Sequence, residues 1–128
     1  MTKQISYSKY EQELRPEYRQ RINSAESSED VKTLFVRNVL ELFKRVLGDK
    51  IYFDYEDVHL DPRRKDGFTV SNRLGSIKDF VLIWKKSDLR HIVKRKAEFA
   101  IKRLKYLDKH RDKTEAKMYP IPERCKRH

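Results

Sequence analysis

Residues 28–47, SEDVKTLFVRNVLELFKRVL, decide the fold. At about 100° per residue, Val31, Leu34, Phe35, Val39, Leu42, Phe43 and Val46 share one broad arc, widened by Val36, Leu40 and Leu47. Thr33, Arg37, Glu41 and Lys44 form a narrow polar strip opposite. A stripe that wide predicts a central helix packed from several directions. Ser27 stands as its N-cap with an acid, Asp30, at the third helical position, and Gly48 supplies the stop.

The segments before it are also helical. Tyr7, Tyr10, Leu14, Tyr18 and Ile22 recur at three- and four-residue steps, and Ser8 with Glu11 matches a capping box. Pro16 interrupts this stripe and predicts a kink or two short helices. Three tyrosines on one stripe suit base stacking, but core residues with hydroxyls at the rim are the commoner case.

After Gly48 the period changes to two. Ile51, Phe53 and Tyr55 alternate with Tyr52, Asp54 and Glu56, and Val58 and Leu60 continue with opposite parity. A bulge near Glu56-Asp57 accounts for the slip. Phe68 and Val70 alternate again, which predicts a hairpin of roughly 51–61 with 68–73. Ser76 with Asp79 then opens a capped helix carrying Ile77, Phe80, Val81 and Trp84 on one face.

Ser87 caps the last helix, about 88–110, whose apolar stripe is Leu89, Val93, Ala97, Ala100, Leu104 and Leu107. Opposite lie His91, Lys94, Arg95, Lys102, Lys105 and Lys109, with Glu98 the one acid among them. Arg95, Lys102 and Lys109 form a seven-residue ladder, and Phe99 and Tyr106 form a parallel one. The expected fold class is α+β and helix-dominated: a bundle around the central helix, a small hairpin (about 51–73) and a long basic C-terminal helix. One domain is expected over 1–112, with an extended or disordered basic tail over 113–128.

Composition bounds the function. Of 128 residues, 38% are hydrophobic and 40% charged, so a modest core sits beneath a heavily charged surface. The net charge of +11 is unevenly spread. Residues 1–84 hold 15 Lys and Arg against 14 Asp and Glu, whereas residues 85–113 hold 12 against 4. The excess therefore lies on the last helix, where it attracts phosphates or acidic proteins. No apolar run approaches ~18 residues, so no membrane partner is expected. The single cysteine, Cys125, and an N-terminus without a signal-type apolar stretch lead to an expectation of the cytoplasm.

The leading expectation is a non-enzymatic nucleic-acid-binding protein, DNA or RNA, without cofactor. Lys94, Arg95, Lys102, Lys105 and Lys109 would neutralise phosphates, while Phe99 and Tyr106 would stack on bases. The alternative is an interaction module that binds an acidic protein or a second copy of the chain, using surplus apolar residues such as Val36, Leu40 and Leu47. A third reading is chemical. Asp57, His59 and Asp61 alternate, and on one face of an unbroken strand they would suit Mg²⁺ or Mn²⁺ in a metal-dependent nuclease or phosphotransferase. No phosphate-binding loop, dinucleotide fingerprint or nucleophile elbow is present, and the three glycines are scattered.

Overall fold

A computed structural model of the chain describes residues 6–109. The expected tail, with Cys125, lies outside the described residues, as does the expected last residue of the final helix, His110. The described chain is a helix-dominated α+β fold. Five helices run in the order α1 (Ser8–Ser24), α2 (Ser28–Leu47), α3 (Asn72–Gly75), α4 (Lys78–Lys86) and α5 (Leu89–Lys109), with strands β1 (Val58–Leu60) and β2 (Phe68–Val70) between α2 and α3.

Helix α2 takes the bounds its sequence predicts. Ser27 Oγ accepts from the Asp30 amide at 3.1 Å, and Gly48, at φ 69°, closes the helix with its N–H on the Lys44 carbonyl. Val31, Phe35, Val36, Val39, Leu42 and Phe43 are all buried. They are covered by α1 and α5, by β1, and by the aromatic residues of the hairpin and α4. The Phe43 ring lies 5.5 Å from Phe53 and meets Phe80 at 5.2 Å and Trp84 at 6.0 Å edge-on. Val36, Leu40 and Leu47 also belong to or pack against this core, Val36 being buried and the other two partly buried.

Helix α1 runs through Pro16 as one element, so the two-helix alternative does not occur. Tyr10 and Leu14 before the proline and Tyr18 and Ile22 after it all pack on the same core, which holds both halves in one helix despite the missing amide donor. The expected Ser8–Glu11 capping box is absent. Tyr7 is the N-cap, its amide donating to Asp88 Oδ1 at 2.8 Å, and Glu11 pairs with Arg15 instead.

The hairpin is shorter than its alternation implies. Its register pairs Val58 with Val70, His59 with Thr69 and Leu60 with Phe68. Residues 51–54 are extended and buried alternately, but they have no strand partner. The slip in parity is a 3-10 turn, Tyr55–Asp57, rather than a bulge: Asp54 caps it and the Asp57 carboxylate accepts the Asp54 amide at 2.7 Å. Residues 71–73, expected in a strand, lead into α3, where Ser71 Oγ accepts from the Leu74 amide at 3.2 Å. Gly67 closes the hairpin loop at φ 85° directly on α5. The positive φ is what calls for glycine, and the site is also tight: a Cβ there would stand 2.9 Å from Ile101 Cδ1 and 3.1 Å from Ala97 Cβ.

Helix α4 forms as expected but without its expected cap: Ile77 is the N-cap, and Ser76 bonds back to the Asn72 carbonyl at 3.0 Å. Ser87 joins α4 to α5. Its hydroxyl donates to the Ile83 carbonyl at 2.6 Å and accepts from the Leu89 amide at 3.1 Å. Because Phe43 stands at the meeting point of α2, hairpin and α4, Phe43→Ala is expected to cost ~3–5 kcal/mol of stability as a large-to-small core change. Chemical denaturation followed by circular dichroism measures this; a cost under ~1 kcal/mol would be incompatible with the packing described.

Candidate nucleic-acid interface

Helix α5 divides into three arcs, each set by what packs on it. Leu89, Val93, Ala97 and Ala100 are buried in the core, with Leu104 and Leu107 partly buried beyond them. A second arc, Lys96, Phe99 and Arg103, faces α1 and the α1–α2 loop. Arg103 donates from Nη2 and Nε to the Ala25 carbonyl at 2.7 and 3.1 Å, anchoring that loop. The third arc faces solvent and holds His91, Arg95, Glu98, Lys102, Lys105 and Lys109, all exposed, with Lys94 partly exposed.

Five of the cations expected to bind phosphate therefore share one solvent arc: Lys94, Arg95, Lys102, Lys105 and Lys109. Among the described residues none has a carboxylate within ion-pair distance, whereas Arg90 on the same helix pairs with Asp66 at 3.0 Å. Lys94 lies within the field of that same aspartate and helps hold its pKa below the usual carboxylate range, after Arg90. The two aromatic residues differ. Tyr106 is 48% exposed and carries the Arg103 guanidinium 4.7 Å from its ring centroid. Phe99 is partly buried: its ring leans on Tyr18 at 6.0 Å and carries Arg19 at 5.4 Å.

Between α1 and α5 lies a cavity of about 250 Å³ lined by Glu11, Arg15, Tyr18, Arg19, Arg95, Lys96 and Phe99. Lys96 is the residue that sequence reasoning missed. Only 3% of it is exposed, and its Nζ sits 4.6 Å from the Tyr18 ring centroid. The Tyr18 hydroxyl donates to the Lys96 carbonyl at 2.6 Å, locking the two helices together. Burial pushes the Lys96 ammonium down to about 8; Glu11 opposes this, while Arg15, Arg19 and Arg95 reinforce it. Glu11, itself buried, is held below the usual range chiefly by its Arg15 bond, with Arg15 Nε at 2.8 Å. The signal available in the sequence is the spacing Ile92–Lys96–Phe99–Arg103, a second helical stripe beside the core stripe.

The acidic triple of the hairpin does not converge. One shared face requires an unbroken strand, but β1 begins only at Val58, leaving Asp57 in the preceding turn. The Asp57 carboxylate is buried, which pushes its pKa up, but Arg73, Ser71 Oγ (2.6 Å) and the Asp54 amide outweigh this and hold it low. His59 points to solvent, and Asp61 accepts from its own turn, from the Arg63 amide at 3.0 Å. Among the described residues no group of three or more His, Cys, Asp or Glu is placed to hold a metal ion. Among them, too, no helix is long and apolar enough to cross a membrane.

No protein-family model matches the chain, and no curated protein or solved structure is significantly similar to it.

The depressed Lys96 pKa links stability to pH. The unfolded lysine titrates near ~10.4, so between about pH 8 and that value the unfolded state binds the extra proton and stability rises with pH. Unfolding free energy is expected to rise by ~1 kcal/mol from about pH 7 to about pH 9, a rise absent from Lys96→Met. Above about pH 10 the trend reverses, because burial raises the Tyr18 pKa and only the unfolded tyrosine then ionises. Urea titrations of both proteins across this range test the assignment; an equal pH slope in the variant would contradict it.

Proposed function

We propose that this protein binds nucleic acid through the solvent arc of α5, acting in the cytoplasm as a binding protein without cofactor. The observation that carries the reading is that Lys94, Arg95, Lys102, Lys105 and Lys109 lie on one arc with no carboxylate in ion-pair reach among the described residues. Cations already paired with acids give little to a polyanion; cations that are not so paired release counterions when they meet phosphate. The ladder Arg95–Lys102–Lys109 follows the helix for two heptads, so its charges can track a backbone. Half-exposed Tyr106 lies beside the ladder with the Arg103 guanidinium over its ring, an aromatic–guanidinium pair that suits stacking on an unpaired base. Phe99 serves as a wall between Tyr18 and Arg19 rather than as an open platform.

The test is the salt dependence of binding. Replacing Arg95, Lys102 and Lys109 together with Gln is expected to flatten the slope of log affinity against log salt by ~2–3, at ~0.9 per duplex phosphate contact. Melting temperature should change little, since exposed charges contribute weakly to stability. Tyr106→Ala should weaken single-strand binding by ~1–3 kcal/mol and leave the slope unchanged. No mobility shift with single- or double-stranded DNA or RNA at low salt and micromolar protein would defeat the reading. An acidic protein surface would then be the next partner to try.

A further inference from the structure

Lys96 differs from every other basic residue of α5 in being buried without a hydrogen-bond acceptor for its Nζ among the described residues. A buried ammonium is costly unless an anion compensates it. The one acid at hand, Glu11, is already bound by both Nε and Nη2 of Arg15. Against that single carboxylate the cavity wall sets Arg15, Arg19, Arg95 and Lys96, so the cavity is cationic and lacks a matching charge. The Tyr18 ring 4.6 Å from the amine offers its π face but no hydrogen-bond acceptor and no negative charge, so it offsets only part of this.

We propose that the cavity between α1 and α5 binds a phosphate monoester, and specifically the terminal phosphate of a nucleic-acid strand lying along α5. The proposal rests on the reading of α5 as a nucleic-acid surface and adds an end-recognition site to it. Size fits a phosphate with its first attached atoms: about 250 Å³ is smaller than the ~300–1,000 Å³ of pockets that enclose drug-sized ligands. Charge fits a terminal group, which carries about −1.5 to −2 near neutral pH, better than the single charge of an internal diester. Placement also fits, because Arg95 belongs both to the cavity wall and to the Arg95–Lys102–Lys109 ladder. Arg19, held over Phe99, and Arg95 stand at the wall as guanidinium donors, which suit phosphate oxygens.

The experiment compares one short single strand bearing a 5′-phosphate, a 3′-phosphate or hydroxyls at both ends, with inorganic phosphate as a fourth probe. The wild type is expected to bind one phosphorylated strand at least ~10-fold more tightly than the hydroxyl strand, as hydrogen bonds to charged groups imply. Lys96→Met, which removes a buried charge and should fold at least as stably, is expected to abolish that advantage while binding the hydroxyl strand as the wild type does. Arg19→Gln, at an exposed position, should reduce the advantage and controls for repacking around Met. Equal affinity for all strands, or an advantage that survives in Lys96→Met, overturns the pocket and leaves the α5 surface standing. If no strand binds, yet millimolar phosphate raises the melting temperature of the wild type and not of Lys96→Met, strand-end recognition is overturned along with the α5 reading, and the cavity is a site for free phosphate. If neither strands nor phosphate bind, both readings fall.

Discussion

Helix α2 carries apolar side chains over so much of its circumference that no single neighbour can cover it. The structure meets that constraint by surrounding it with α1, α5, the hairpin and α4. Each covering element pays out one apolar face to α2 and turns its remaining faces elsewhere. For α5 this fixes the charge distribution. Leu89, Ile92, Val93, Ala97 and Ala100 are committed to the core, Lys96, Phe99 and Arg103 to the α1 side, and the remaining basic residues collect on the arc that is left. Hydrophobic burial thus produces the cationic surface: segregating apolar residues inward concentrates charge outward.

How much of this was legible depends on whether a pattern had one physical cause or two. The bounds of α2 and its Ser27 cap, and the core stripe of α5, follow from a 3.6-residue period that only a helix produces. Alternation over residues 51–56 has two causes. Ile51 and Phe53 are buried and Tyr52 is exposed in an extended segment that has no strand partner, so burial alternates without a ladder. Helix α3 is one turn long, too short to leave a period, and its Ser71 cap resembles any serine at a strand end. Ser76 and Ser8 show that a serine followed three residues later by an acid is not by itself a cap, since both starts are held otherwise.

The candidate site divides in the same way. Exposed cations on α5 were legible because lysine and arginine are ordinarily solvated, and here they are. Lys96 was illegible for the same reason: its residue type says surface, while its position on the Ile92–Phe99 stripe says seam. Position prevails because α1 packs there, through Tyr18 and its hydroxyl on the Lys96 carbonyl. Asp57 is a parallel case just before the hairpin, where a carboxylate resembling a metal ligand is used up in joining the 3-10 turn ahead of β1 to α3 through Ser71 and Arg73. Asp57 and Lys96 are thus buried charges at joints between elements, and Lys96 is the buried charge whose hydrogen-bonding capacity is not met among the described residues.

Whether the solvent arc of α5 receives a phosphate backbone is decided by amide chemical-shift mapping of the protein titrated with a short single strand at low salt. Shifts are expected to concentrate on α5 between Lys94 and Lys109 and on the facing part of α1 near Arg19, all reversing as salt is added. Shifts centred on the hairpin or α4, or shifts on α5 that persist at high salt, would contradict the α5 reading.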